Sequence, residues 1–227
     1  MESQYENYSK FEQFLLSNSD KKWNWDSLSA NPNISLKFIE NHPELKWNWY
    51  LVSSNSNLTL EFILSHPAQY RNWDNINSYA CVSIEEVKAH PELPWNWRGL
   101  SKNPNITIQD VEDNPDLPWD YDSLSDNPNL TLEYLENNLT KNWNWDSISK
   151  HSMITMEFIE LHPELAWDWE IISSNPNLSL EYILDHIDKR WNWYNISCNT
   201  SVVSIDNILN HPELTWNFRN EIGRAHV

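Results

Sequence analysis

The sequence predicts an all-α fold, an α-solenoid of about nine 24-residue two-helix repeats, and three observations carry that reading. The tripeptide Trp-Asn-Trp begins at Trp23, Trp47, Trp95, Trp143 and Trp191, with degenerate copies beginning at Arg71, Trp119, Trp167 and Trp216. The spacing is 24 residues seven times and then 25, and a constant period of this length marks a repeat array. All fifteen tryptophans fall at the first or third position of the motif. No strand-like alternation of useful length interrupts the pattern. Written from the first Trp, the unit is W-N-W-D-S-L-S-x-N-P-N-I-T-L-E-F-I-E-x-H-P-E-L-x.

The chain divides by this period into three parts. Residues 1–22 are an N-terminal capping half-repeat, in which Phe14 and Leu15 fall at the apolar positions of the second helix and residues 5–18 form the variant half-unit. Residues 23–220 are the tandem repeats. Residues 221–227 break the pattern, because Glu221 stands at position six, where an apolar residue is expected, and Ile222-Gly223-Arg224-Ala225-His226-Val227 follows. That peptide is the translation of a common sequencing adapter, so the tail is read as non-native and Gly223 as spurious.

Each repeat contains two helix starts. Position two is Asn or Asp in all nine copies, from Asn24 to Asn217, and both are strong N-caps because the side-chain oxygen accepts a free amide of the first turn. The residue four after the cap is apolar in eight copies, as in Leu28, Val52 and Ile76, which with the preceding Trp makes a hydrophobic staple. An Asn-Pro-Asn type turn follows, so this first helix is expected to span about six residues and to be α or 3₁₀. Position thirteen is Ser or Thr in all eight complete copies: Ser35, Thr59, Ser83, Thr107, Thr131, Thr155, Ser179 and Ser204. The residue before it is apolar, Ile34 in the first copy and Val203 in the last, and so is the residue four after it. Glu61, Glu85, Glu133, Glu157 and Glu181 stand two after the cap, where they complement the positive end of the helix dipole. This second helix is expected to run about seven or eight residues and to stop at His-Pro. The one-residue insertion lies between Asn199 and Ser204, in a predicted loop. Isolated helices need about 12–15 residues in water, so stacking on neighbouring copies must hold these in place. At helix spacings of about 8–10 Å, nine repeats would extend roughly 75–90 Å.

Asn31-Pro32-Asn33-Ile34-Ser35 and Asn103-Pro104-Asn105-Ile106-Thr107 resemble the Asn-Pro turn and Ser/Thr-started helix of the leucine-rich repeat variant family, whose units are also 24 residues long. The resemblance covers residues 23 to 220 and implies alternating α and 3₁₀ helices in a right-handed superhelix. The Trp-Asn-Trp form is similar to repeat proteins of large DNA viruses of protists, which implies the host cytoplasm. The chain departs from the family in placing Trp where small aliphatics are usual. It also has no Cys cluster for the iron–sulfur segment some members carry.

Composition narrows function. Two glycines cannot build a P-loop or a dinucleotide-binding turn, and Cys81 and Cys198 cannot build a disulfide scaffold or a four-Cys zinc site. Met1 to Lys10 is polar and lacks a signal-peptide core. No apolar run reaches transmembrane length. A net charge of −18 disfavours nucleic-acid phosphates and anionic membranes.

Histidine recurs at position twenty (His42, His66, His90, His162, His186, His211), one repeat apart, too far to converge on one metal ion. The expected role is a ring facing the last carbonyls of the helix. The sequons such as Asn33-Ile34-Ser35 follow from the turn-Asn, staple and cap order. Glu44, Glu92, Glu164 and Glu213 recur identically, and no unique Ser/His/Asp or Cys/His set stands out, so no catalytic residue, cofactor or metal site is assigned. The position-one Trp is expected to be buried, whereas position three is open to either reading. The expected role is a non-catalytic, monomeric scaffold for protein–protein interaction, whose acidic surface favours a basic partner segment. The alternative is a carbohydrate-binding module with an exposed Trp ladder. Candidate partner contacts lie at variable position four: Asp26, Tyr50, Asp74, Arg98, Asp122, Asp146, Glu170 and Tyr194, with Arg219 in the last copy. Position eight, from Ala30 to Cys198, also varies.

Overall fold

The computed structural model describes residues 8–66 and 72–217. Among them are seventeen helices, no strand, and one isolated parallel bridge between Thr59 and Cys81. Helix α1 (Lys10–Ser17) is the half-repeat. The first helices of the repeats are α2 (Trp25–Ser29), α4 (Trp49–Val52), α6 (Trp73–Tyr79), α8 (Trp97–Ser101), α10 (Tyr121–Leu124), α12 (Trp145–Lys150), α14 (Trp169–Ile172) and α16 (Trp193–Cys198). The second helices are α3 (Leu36–Asn41), α5 (Leu60–Ser65), α7 (Ile84–Ala89), α9 (Ile108–Asp113), α11 (Leu132–Asn137), α13 (Met156–Leu161), α15 (Leu180–Asp185) and α17 (Ile205–Asn210). The fold is an all-α repeat solenoid. The chain divides into two compact halves, Met1–Asn129 and Leu130–Val227. The tail at 221–227 and Arg219 lie outside the described residues.

Every repeat starts its helices as the residues demand. Asn24 Oδ1 accepts the Ser27 amide at 3.0 Å, and Asp168 Oδ1 accepts the Ile171 amide at 3.0 Å. Ser35 Oγ accepts the Phe38 amide at 3.1 Å at the next start. The first helices are α rather than 3₁₀ and span four to seven residues. The longest is α6, where Tyr79 replaces the turn Asn and no side chain competes for the amides beyond. The second helices are six residues each, shorter than expected, and His or Asn forms their C-cap. In α7 and α9 the residue three after the cap, Glu86 or Asp110, closes a capping box.

The core is the same few positions in each repeat. Leu28, Val52, Ile76, Leu100, Leu124, Ile148, Ile172 and Ile196 are all buried. So are Ile34, Leu58, Val82, Ile106, Leu130, Ile154 and Leu178 before the second helix. In the last copy Val202, rather than the expected Val203, fills this slot, because the inserted residue is absorbed after the core position. In the half-repeat Leu15 is buried as expected. Phe14 is 54% exposed and stands edge-on to Trp23, ring centroids 6.0 Å apart.

Two polar columns tie successive repeats together. The position-seven serine donates to the carbonyl four residues back and accepts the cap-residue amide of the next repeat. In the N-terminal half Ser29 donates to Trp25 O at 2.7 Å and accepts the Asn48 amide at 2.9 Å. In the C-terminal half Ser173 donates to Trp169 O at 2.8 Å and accepts the Asn192 amide at 2.8 Å. The second column is the first Asn of the turn. Fully buried Asn127 donates to the carbonyls of Ser101, Asn103 and Ile106 at 2.8, 3.2 and 3.1 Å, all in the preceding repeat. Its Oδ1 accepts the Asn129 amide at 2.8 Å. Asn175 reaches Ser149 O and His151 O in the same way.

At the third repeat Asn77 replaces the serine. It makes both contacts, Nδ2 to Trp73 O at 2.6 Å and Oδ1 from the Asn96 amide at 3.1 Å. Position five of the next repeat is Gly99, where an added Cβ would lie 2.5 Å from Asn77 Cβ and 3.3 Å from the Asn77 carbonyl carbon and Ser78 Oγ. Gly99→Ala should therefore destabilise the protein by about 1–3 kcal/mol through overpacking. Adding Asn77→Ser should recover little of that loss in a double-mutant cycle of thermal melts, because serine keeps the same Cβ. Full recovery would refute this account of the clash.

The half-repeat is joined to the first full repeat through Glu12, a buried carboxylate. Its oxygens accept from the Ser9 amide at 2.7 Å, the Ser35 amide at 2.8 Å and Ser35 Oγ at 2.7 Å. Burial raises its pKa, but the Ser35 and Ser9 hydrogen bonds together outweigh burial and hold it below the usual value. A lowered folded pKa means stability that is fully present above the unfolded Glu range and lost as pH falls through the folded value. Glu12→Gln should cost about 1–3 kcal/mol at neutral pH. Its deficit relative to the unmodified protein should shrink as melts are repeated at progressively more acidic pH.

Candidate interaction surface

The two tryptophans of the motif do different things. At position one the indole Nε1 donates to the carbonyl of the residue five before it, the C-cap of the preceding second helix. The distances are 2.8 Å for Trp47 to His42 O, 2.7 Å for Trp95 to His90 O and 2.8 Å for Trp191 to His186 O. Trp47, Trp119, Trp143, Trp167, Trp191 and Trp216 are buried, and Trp23 and Trp95 are half-buried. The expected burial of this position is thus seen in most copies.

At position three every Trp is half-buried. All but Trp49 pack edge-to-face on the position-one Trp of the next repeat; Trp49, whose next repeat begins with Arg71, stacks on Phe62 at 6.2 Å. The ring centroids are 5.3 Å apart for Trp25–Trp47, 5.0 Å for Trp97–Trp119 and 5.2 Å for Trp145–Trp167. These are favourable quadrupole geometries. Their indole nitrogens differ from those of position one. Among the described residues the Nε1 groups of Trp25, Trp49, Trp73, Trp97, Trp145, Trp169 and Trp193 find no acceptor, and none is sealed from solvent.

Position four follows directly. Asp26, Tyr50, Asp74, Arg98, Asp122, Asp146, Glu170 and Tyr194 are all exposed, as the second residue of each first helix. Asp26 Oδ1 accepts from Asn48 Nδ2 at 2.7 Å, and Asp74 Oδ1 from Asn96 Nδ2 at 3.4 Å. This places position four of one repeat beside the cap of the next. In the C-terminal half Asp146, Asp168, Glu170, Trp167, Trp169 and Arg190 line a shallow recess of about 380 Å³. Position eight is not a uniform surface, since Ser78 is buried and Ser54 Oγ accepts from Asn75 Nδ2 at 2.6 Å.

The histidine column divides by environment. His66 and His186 hold Nδ1 3.0 Å from the Phe62 and Tyr182 carbonyls, the geometry expected at a helix end. His42, His90 and His211 instead face Glu44, Glu92 and Glu213 of their own repeat at 2.9, 3.0 and 3.1 Å. The Glu44 pKa is lowered chiefly by the His42 hydrogen bond, and those of Glu92 and Glu213 chiefly by their own amides. Tyr182 stacks on His186 at 4.2 Å, and burial reinforced by Glu160 raises its pKa to about 12. Among the described residues no group of three His, Cys, Asp or Glu side chains could hold a metal ion. No helix there is long and apolar enough to cross a membrane. Cys81 and Cys198 are exposed free thiols.

The buried serine and asparagine columns are absent from the residue list that sequence reasoning assembled. Recurrence of Ser at position seven and Asn at position nine, on the inner side of the turn, was the available signal. The difference between the two indole sets is measurable. Position-one indole N–H groups should exchange with deuterium at least about tenfold more slowly than those of position three, read by indole-selective ¹⁵N NMR. Uniform exchange would contradict the assignment. No family model, curated protein or solved structure matches this chain.

Proposed function

We propose that the protein is a non-catalytic binding scaffold whose position-four face receives a Lys/Arg-rich polypeptide segment. One observation supports this most directly. Asp146 and Glu170 are exposed and line one recess together with Arg190, and among the described residues neither has a cation within ion-pair distance, in a chain of net charge −18. Several other recurrent acids are engaged by histidine of their own repeat or the next. Long-range attraction then favours a cationic partner and speeds its encounter. The carbohydrate-binding alternative calls for exposed indole faces, and none of the fifteen tryptophans is exposed.

The reading is tested with a defined Lys/Arg-rich peptide and an isosteric uncharged control, by titration calorimetry. The basic peptide should bind and lose about tenfold or more in affinity from low to high ionic strength. Asp146→Asn with Glu170→Gln should weaken it by a similar factor while lowering the melting temperature only slightly, because each first-turn carboxylate contributes about 0.3–1 kcal/mol to its helix start. Equal binding of both peptides, or no binding of either, would overturn the proposal.

A further inference from the structure

Position three and position four are adjacent in every repeat, so each open indole N–H comes with its own exposed side chain. In the C-terminal half the set is Trp145 with Asp146, Trp169 with Glu170, and Trp193 with Tyr194. The acids alone would attract any cation without order. The indole donors add directionality: each is held by its edge-to-face partner, lacks an acceptor among the described residues, and is not sealed from solvent, and the Trp169 ring also carries the Lys189 ammonium at 5.1 Å. An acceptor that recurs at the repeat spacing would satisfy all three. Packed helices lie about 8–10 Å apart. A polyproline-II chain rises about 3.1 Å per residue, so every third residue recurs at roughly 9 Å. Backbone carbonyls of an extended polypeptide therefore come into register with the repeats once every three residues.

We infer that the occupant of this face is an extended segment with a basic residue at every third position. Its carbonyls accept from the Trp145, Trp169 and Trp193 indoles, and its Lys or Arg side chains meet Asp146 and Glu170. This rests on the proposed scaffold function and adds to it a conformation, a register and a set of donors. Main-chain hydrogen bonds supply the alignment, and the recess lined by Trp169, Asp146 and Glu170 receives a side chain between two repeats.

The test uses the full chain with ¹⁵N-labelled indoles and two peptides of equal length and composition. In one the lysines occupy every third position; in the other they form a single block. The spaced peptide should bind about tenfold more tightly and shift the Trp145, Trp169 and Trp193 indole resonances, leaving the hydrogen-bonded position-one indoles unmoved. Trp169→Phe, which keeps a ring and removes the donor, should weaken the spaced peptide severalfold and leave the block peptide unchanged. Unaltered position-one indole resonances other than that of Trp191, which packs on the substituted ring, would verify that this variant is folded. If both peptides bind equally, or the position-three resonances stay fixed, the register and the donors are overturned while the basic-partner reading stands. If neither peptide binds, both readings fall.

Discussion

No helix among the described residues exceeds eight residues, and most have four to six. That constraint governs the rest of the structure. A helix of one turn and a half leaves most of its amides and carbonyls without intrahelical partners. Side chains must supply them, and the supply is shared between repeats. Position seven is the clearest instance, since one hydroxyl both closes its own helix and receives the amide of the next cap. The turn Asn does the same for carbonyls, and in a buried setting an unmet carbonyl is costly. A repeat is therefore complete only when its successor is in place. The Asn77–Gly99 contact shows how narrow the fit is: a Cβ on Gly99 would lie 2.5 Å from that of Asn77.

The same constraint links the two compositional extremes, many tryptophans and very few glycines. Many helices end on a glycine in the left-handed conformation that turns the chain and meets the last carbonyls. Here no described residue has a positive φ. The C-cap stays at negative φ, as in His42 at −126°, and the chain returns through Pro-Glu-Leu. The C-cap carbonyl then accepts from the position-one indole, 2.8 Å away for Trp47, and from the Leu45 amide at 3.1 Å. Trp thus does at each second-helix end what glycine does elsewhere, and adds a large apolar surface to a thin core. The position-three Trp extends this by packing on the ring that makes the bond.

The periodicity, both helix starts and the apolar core were legible in the residues because each has a local cause. A cap oxygen, the staple residue and the His-Pro stop act within a few residues of themselves. The Asn127 contacts were not legible, since a turn Asn exposed to water and one buried against the previous repeat have the same neighbours in sequence. The Ser29 relay was missed for the same reason: its acceptor role is toward Asn48, nineteen residues on. Length of the second helix was overestimated because the residue before the proline, as His42 at φ −126° and ψ 59°, already lies outside the helical region. The half-open state of Trp25 or Trp169 depends on a ring in the next repeat and has no local signature. The position-four residues were picked out by their variability, and those from Asp26 to Tyr194 lie at the surface.

The acidic charge can now be divided by location. Acids in the first turn of the second helices, such as Glu61 and Glu157, face a helix start and add local stability. Glu44, Glu92 and Glu213 sit on histidines of their own repeat, and Glu136 and Glu160 approach His162 and His186 of the next at 3.8 Å. Asp26 and Asp74 hold the following cap amide. Asp146 and Glu170 also stand in the first turn of their helices, α12 and α14, and favour those helix starts. A first-turn acid does this without an ion-pair partner, so its charge stays open to the surroundings. These two stand one repeat apart at the same helical position, each beside a position-three indole. One register thus joins a helix-start function to an exposed charge that a cationic partner can meet.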